Sequence, residues 1–480
     1  MKLVISALTA AWLSLSYSFS AVGPAAPQAP VPTPVESRVD AVFSRWTTTT
    51  PGCAVGVGAN GRTVLARGYG MADLEHDVRN GADTIFEAGS VSKQFTAAAI
   101  LLLAKDGRLS LDDHVRKHVP ELADYGTPIT LRQMLSHTSG LRDWGNLAGI
   151  AGWPRGNRMH THDDVLDILS RQRALNFTPG TRWSYSNSGY NLAAIIVSRV
   201  SGRSFADFSR ERIFQPLGML HTSWRDDHTR IVKQRAVAYA PGGAGFRQDM
   251  PFENVHGNGG LLTTVGDLLK WNEHFVSSPI ADATLLSLQQ TPARLNDGRV
   301  LDYALGLYVR PYKGLPEVYH SGATAGYRAF LTRFPDQHLS VAVLCNAGSA
   351  NPTEYAHAVA DMYLGARLKP ESEAPPSLPE SRGPTVGLTR DERFRPAPAD
   401  LTAYAGTFTS DEADTTLRVE VRGDALVILR RPVTAITLRP HSRDRFEAGS
   451  LGLVTFYREG GRVTALSLTQ DRVWDLRFEK

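Results

Sequence analysis

A serine and a lysine stand three positions apart immediately before a long apolar segment. Ser90 and Lys93 precede residues 95–104, which are apolar except for one threonine, and Gly107 beyond them is a typical helix terminator. Residues at i and i+3 share a helix face, so the Lys93 amine is expected to reach the Ser90 hydroxyl. An amine accepts the proton of a serine when apolar surroundings keep the amine neutral. The pair therefore predicts a serine nucleophile with a lysine base.

Two polar triplets follow this pair, Tyr185-Ser186-Asn187 and then His320-Ser321-Gly322. The three motifs in this order resemble those of serine β-lactamases and penicillin-binding proteins. The tyrosine is similar to that of the branch with class C β-lactamases, D-Ala-D-Ala carboxypeptidases and D-aminopeptidases. The resemblance covers roughly residues 37–366. It implies an α/β fold class, with an antiparallel sheet flanked by helices and an all-helical subdomain.

The resemblance also implies the role of each motif residue. Ser90 would attack a carbonyl and form an acyl-enzyme, while Lys93 and Tyr185 move the proton to the leaving group. The backbone N–H groups of Ser90 and Ala323 would hold the oxyanion. Substrate binding would fall to the side chain of Asn187 and to the third motif, that is His320, Ser321 and Gly322. The expected activity is hydrolysis of an amide or ester, with a D-amino-acid peptide, a β-lactam or a small ester as substrate.

His320 occupies a position where β-lactamases of this kind usually carry lysine. A histidine side chain has an ordinary pKa near 6.5, so we expect only part of the lysine's positive charge at neutral pH. That charge faces the substrate carboxylate in the relatives with lysine. The histidine therefore argues against efficient penicillin hydrolysis, and it predicts faster turnover of carboxylate-bearing substrates as the pH falls.

Composition is that of an exported globular enzyme, with 42% hydrophobic and 21% charged residues and a net charge of only +4 over 480 residues. The basic residues are scattered rather than clustered, so they do not indicate nucleic-acid binding. Residues 1–20 contain one charge, an apolar run and small residues near Ser20, a pattern that predicts a cleaved signal peptide and a periplasmic or secreted protein. We expect no membrane span after cleavage, no cofactor, and a small-molecule or peptide substrate. The sequence carries no information on the oligomeric state of the protein.

Proline content and residue periodicity predict how the mature chain is divided into a leader and domains. Residues 21–36 form a proline-rich leader, 37–366 the catalytic domain, and 367–400 a second proline-rich segment that predicts a linker with few contacts across it. Within the catalytic domain, Asn60-Gly61 between two apolar runs predicts a hairpin turn. Residues 401–480 contain short alternating runs separated by turns, which predict a small antiparallel β-barrel-like domain with a stabilising or shading role.

Cys53 and Cys345 are the chain's two cysteines, and each lies in an apolar run. The family fold would make these runs neighbouring strands. A disulfide and two buried thiols are equally compatible with this pattern.

Two other functional classes are compatible with parts of the sequence. His160 and His162 could belong to a metal-dependent hydrolase, but no other histidine has the spacing that completes a site, and Thr161 to Asp164 is typical of a helix start. We therefore predict no metal site. A penicillin-binding sensor that is acylated without efficient turnover would keep Ser90 and Lys93, and slow deacylation would distinguish it.

Overall fold

The computed structural model describes residues 34–369, 389–432 and 434–480. The predicted signal peptide, residues 21–33 of the leader and residues 370–388 of the linker lie outside them. The first helix begins at Val35, so the predicted leader boundary at residue 36 is too late by two residues. None of the helices in the described ranges has the length and apolarity that a bilayer span requires.

Helices occupy mainly the middle of the α/β region, residues 34–369. They are α1 (Val35–Val42), α2 (Lys93–Lys105), α3 (Leu131–Leu135), α4 (Trp144–Ile150), α5 (His162–Ser170), α6 (Ser188–Ser201), α7 (Phe205–Ser209), α8 (Val265–Glu273), α9 (Ala283–Gln290) and α10 (Pro352–Leu364).

Strands come mainly from the two ends of the same region. They are β1 (Cys53–Ala59), β2 (Arg62–Tyr69), β3 (Met71–Asp73), β4 (Val78–Arg79), β5 (Phe86–Glu87), β6 (Ser223–Trp224), β7 (Tyr239–Gly242), β8 (Gly245–Gln248), β9 (Leu261–Thr263), β10 (Tyr308–Tyr312), β11 (Leu315–Thr324), β12 (Tyr327–Phe334) and β13 (Leu339–Cys345). The main sheet is antiparallel, with the order β10-β11-β12-β13-β1-β2.

The centre of this sheet is buried on both faces, which explains why β1 and β13 are continuous apolar runs. Val55 and Val343 pack with residues of α10 on one face, while Ala54 and Leu344 belong to the core that contains α8. The predicted Asn60-Gly61 turn between β1 and β2 is confirmed, with φ of 50° and 73°.

The two cysteines are paired in register at one end of the central strands. Cys53 of β1 lies opposite Cys345 of β13 and forms a disulfide with it. Register therefore decides between the two alternatives that the sequence left open.

The described residues after 389 form a small helix and a closed antiparallel barrel. They are α11 (Pro398–Leu401), β14 (Gly406–Ser410), β15 (Thr415–Arg422), β16 (Ala425–Arg430), β17 (Thr434–Ser442), β18 (Arg445–Glu447), β19 (Leu453–Glu459), β20 (Arg462–Gln470) and β21 (Val473–Glu479). The predicted fold class, an α/β region followed by a small all-β barrel, is confirmed.

Many contacts join the barrel to the α/β region, so the prediction of few crossing contacts is wrong. The buried Arg142 guanidinium donates to Glu412 Oε2 at 2.7 Å and to the Trp474 carbonyl at 3.2 Å. The apolar cores of the two regions are also continuous. The proline-rich composition gives information on the connecting segment alone. Docking of the barrel on the α/β region depends on surfaces that are formed by residues far apart in sequence.

Candidate active site

Ser90 lies in a 3-10 turn, Gly89–Ser92, that runs directly into α2. The predicted helix begins at Lys93, directly after this turn, and it ends before Gly107 as predicted. Two glycines bring β11 against this turn. A Cβ on Gly89, where φ is 52°, would stand 2.6 Å from the Ala323 nitrogen, and one on Gly322 would stand 3.1 Å from the Ser90 nitrogen. The two backbone amides predicted to hold an oxyanion thus lie beside each other, with glycine needed at both contacts.

The Lys93 amine is completely buried and lies among three oxygen atoms. Its Nζ is 3.1 Å from Ser90 Oγ, 2.9 Å from Asn187 Oδ1 and 2.7 Å from the Asn258 carbonyl oxygen. Burial, helped by the positive charge of Arg472, lowers the pKa of Lys93 well below its ordinary value. A neutral amine at this distance can accept the proton of Ser90.

Tyr185 also lies beside the serine and is buried. Burial raises the pKa of the Tyr185 phenol, and its hydrogen bond with Ser90 opposes that rise only in part. The Tyr185 ring packs against the His137 ring, with centroids 4.3 Å apart, and the Lys93 Nζ is 4.8 Å from the tyrosine ring centroid. The phenol is therefore protonated in the resting site, where it can relay a proton rather than take one from Ser90 first.

Asn187 is held by a residue that the sequence analysis missed. Asp143 Oδ2 accepts hydrogen bonds from the backbone N–H of Asn187 at 2.7 Å and from its Nδ2 at 3.0 Å. This orients Asn187 Oδ1 toward Lys93 and leaves the second N–H of the amide without a role in these two contacts. Asp143 is also the N-cap of α4. Its sequence signal, an aspartate before a helix, is common and does not indicate an active site.

His320 is neutral, which corrects the expectation of partial charge at neutral pH. Burial lowers the pKa of His320 to about 3. Its Nδ1 is 2.6 Å from the Ser321 carbonyl oxygen and its Nε2 is 3.1 Å from Tyr303 Oη. The Nδ1–H tautomer satisfies both contacts, because Nε2 then accepts the tyrosine proton. The ordinary pKa of histidine does not apply where aromatic residues exclude water.

These residues line a cleft of about 510 Å³. Ser90, Tyr185, Asn187, Ala323 and the third motif all reach it. Three arginines, Arg155, Arg328 and Arg472, complete the lining, and no Asp or Glu of the described residues belongs to it. Arg472 comes from the barrel, in the turn between β20 and β21. No motif surrounds it in the sequence, so local reasoning had no signal by which to find it.

The two histidines of the metal alternative serve structural roles. His160 Nε2 is 3.2 Å from the Trp153 carbonyl oxygen, and His162 Nε2 is 2.9 Å from that of His256. Thr161 caps α5 through a capping box with Asp164, which confirms the predicted helix start. In the described ranges the one cluster of three ligand-type residues is elsewhere, on an exposed turn at Asp73, Glu75 and His76. Among the described residues, no third ligand-type side chain joins His160 and His162 in such a cluster.

Sequence comparison gives a family and several relatives. The profile of the Beta-lactamase family matches residues 39–364. Penicillin-binding protein 4* of Bacillus subtilis (strain 168) is 30% identical over 329 residues, covering 62% of this chain and 70% of that protein. A D-aminopeptidase of Gluconobacter oxydans (strain 621H) is 30% identical over 339 residues, covering 70% of this chain and 63% of that protein. The chain thus spans less than two thirds of the aminopeptidase.

Solved structures extend the likeness to the barrel. An octameric penicillin-binding protein homologue from Pyrococcus abyssi aligns with 93% of this chain and 99% of its own, with a TM-score of 0.61 and 25% identity. A D-amino acid amidase from Ochrobactrum anthropi SV3 aligns with 69% of this chain and 99% of its own, with a TM-score of 0.59. Its 21% identity supports a shared fold alone.

Proposed function

The chain belongs to the Beta-lactamase family of serine hydrolases, and we propose that it cleaves a small amide or ester through an acyl-enzyme on Ser90. The observation that carries the proposal is the fully buried Lys93 amine 3.1 Å from Ser90 Oγ. A lysine kept neutral by burial is the base that an unactivated serine requires.

The reaction follows from the positions of these groups. Ser90 Oγ bonds to the substrate carbonyl carbon while its proton passes to Lys93 Nζ, and the carbonyl electron pair moves onto oxygen. The N–H groups of Ser90 and Ala323 stabilise that oxyanion. The tetrahedral intermediate collapses by breaking the bond to the leaving group, which receives the proton through Tyr185. Water then hydrolyses the acyl-enzyme by the same steps in reverse.

The substrate class we propose is a small peptide or ester, with D-amino-acid peptides first. Similarity to a D-aminopeptidase supports it, and so does the neutral His320, which lacks the charge of the lysine found in β-lactamases. We also propose that the protein acts in the periplasm or outside the cell. The Cys53–Cys345 disulfide and the predicted signal peptide support export. The intact mass of the exported protein tests signal-peptide cleavage and disulfide formation together. Cleavage removes residues 1–20 from the mass, and the disulfide removes two hydrogens.

The test is intact-protein mass spectrometry after incubation with a fluorophosphonate, a penicillin or a short-chain ester. We expect a fluorophosphonate adduct that peptide mapping assigns to Ser90 and that Ser90→Ala abolishes. Ser92→Ala is the matched control in the same turn and should keep the adduct. An adduct on another serine, or no adduct, would refute the proposal.

The same samples separate the two alternatives. A penicillin adduct that persists while no ester is turned over would favour the sensor. Activity should survive exhaustive chelation, whereas a loss restored by zinc would favour a metal-dependent hydrolase at His160 and His162.

A further inference from the structure

A second cavity, of about 280 Å³, lies away from the reacting groups. Among the described residues, its lining has no member in common with the lining of the Ser90 cleft. Arg328, near the start of β12, lines the cleft, whereas Arg333, near the end of the same strand, lines the second cavity. The five-residue separation along the strand corresponds to roughly 17 Å. The two spaces are therefore separate sites at opposite ends of one strand.

The Arg333 guanidinium belongs to the lining of this cavity, although only 6% of the residue is exposed. Its Nη2 donates a hydrogen bond to Gln290 Oε1, and its guanidinium carbon is 4.1 Å from the Phe275 ring centroid. Within the described part of the chain, this guanidinium forms no ion pair and no other side-chain hydrogen bond. Burial lowers the pKa of Arg333 to about 9, so the group is still charged at neutral pH.

The two other fully buried arginines of the described ranges each have a carboxylate partner. Arg142 pairs with Glu412 at 2.7 Å, and Arg225 pairs with Glu87 at 2.8 Å. A cation that loses its hydration on burial needs such a partner, because the attraction of an anion offsets the lost hydration. Arg333 lacks this partner within the described chain. Its position in a cavity wall allows a bound anion to supply the missing charge.

The size and polarity of the cavity indicate which anion fits. A single guanidinium, with Nη2 already bonded to Gln290, offers its remaining N–H groups to one carboxylate. Apolar side chains form the neighbouring wall, namely Leu269, Phe334 and Leu339. A ligand with one negative charge and a short apolar body would therefore satisfy both parts of the lining.

The other charged groups of the lining leave this preference in place. Lys270 Nζ is 2.8 Å from Asp267 Oδ1, so an acidic partner already balances its charge. Glu273 is the one carboxylate of the described lining; it lies against the turn between β1 and β2, and it forms no ion pair with Arg333. Arg62 adds an exposed positive charge. The lining thus carries more positive than negative charge, which favours an anionic ligand.

We propose that this cavity binds the carboxylate of a small organic acid, with Arg333 as the counter-ion and the apolar part of the acid against Leu269, Phe334 and Leu339. The acid supplies the negative charge that the described chain does not provide to Arg333. This inference is independent of the proposed function, because it requires no acyl-enzyme at Ser90.

The test is isothermal titration calorimetry of the full chain with three probes. Hexanoate and hexanamide share the same carbon chain and differ in charge, whereas inorganic phosphate is an anion without an apolar part. We expect hexanoate to bind with a Kd of about 0.1–1 mM. Hexanamide and phosphate should each bind at least about tenfold more weakly, because each lacks one of the two features that the lining recognises.

Two variants locate the bound acid. Arg333→Met removes the guanidinium and should weaken hexanoate binding at least about tenfold. Ser340→Leu should also weaken binding, because Ser340 lines the cavity opposite Arg333 in the β12–β13 register and a larger side chain fills the space. This second variant keeps the guanidinium, so it tests the site even if Arg333→Met does not fold. Arg310→Met is the matched control, since Arg310 is exposed on β10 of the same sheet and outside the lining.

Absence of hexanoate binding to the wild type at about 10 mM would overturn the inference. Unchanged affinity in the folded Arg333→Met and Ser340→Leu variants would overturn it as well, because the acid would then bind elsewhere. Equal affinity for hexanoate and hexanamide would contradict the role of the charge. Phosphate that binds as tightly as hexanoate would contradict the role of the apolar wall.

Discussion

The two walls of the cleft differ in how they control charge. In the α/β region, burial lowers the pKa values of Lys93, His137 and His320 and so favours their neutral forms, while Arg155 and Arg328 of the same region line the cleft. On the barrel wall, Arg472 is only partly buried. Proton transfer needs neutral bases, whereas attraction of an anionic substrate needs a lasting charge. The groups packed around Ser90 therefore suit proton transfer, and the barrel adds one further arginine, Arg472, to the two that the α/β region places in the cleft.

The largest expected effect tests whether Lys93 is the base that receives the Ser90 proton. Lys93→Met should lower kcat/KM by about 10³-fold for every substrate, because it removes the base that receives the Ser90 proton. Steady-state kinetics with a penicillin and a short-chain ester measure it. Lys105→Met at the other end of α2, where the side chain is exposed, should leave both rates unchanged. A Lys93→Met variant that keeps more than a tenth of the activity would contradict the assignment of the base.

A smaller effect, on stability, tests how firmly the barrel wall is attached. Glu412→Gln leaves the Arg142 guanidinium, whose side chain is 2% exposed, without its carboxylate. Loss of one partner of a buried ion pair costs about 3–5 kcal/mol in the free energy of unfolding. Urea denaturation measures the change, with Glu420→Gln on the barrel surface as the control. Destabilisation below about 1 kcal/mol, the range of exposed pairs, would mean that the barrel docks without this contact.

The smallest effect concerns the pH dependence of selection. His320 gains charge only below its pKa of about 3, so lowering the pH from roughly 8.5 to 5.5 does not protonate it. The ratio of kcat/KM for a penicillin, which carries a carboxylate, to that for a neutral short-chain ester should therefore vary by less than about twofold over this range. His320→Lys should raise the ratio by about tenfold, because it adds a permanent charge. A wild-type ratio that rises as the pH falls toward 6.5 would restore the original expectation of a titrating histidine.

Local sequence was sufficient where chain neighbours determine the geometry. The Ser90 and Lys93 spacing, the Asn60-Gly61 turn and the Thr161 helix cap each depend on residues within four positions of one another, and each is present in the structure. The alternating strands of the barrel belong to the same class. In these cases backbone geometry allows few alternatives, so a short pattern predicts the outcome.

The tertiary structure alone determined the charge of His320, the pairing of Cys53 with Cys345, and the presence of Arg472 in the cleft. Each depends on groups that lie far away in sequence. Desolvation of a histidine requires aromatic side chains from other elements, a disulfide requires strand register, and a barrel turn enters the site only after docking. The sequence by itself therefore determined which candidate reacting groups lie close together, because motif neighbours position them. The fold determined which of those groups are charged, because water is excluded only when distant segments pack together.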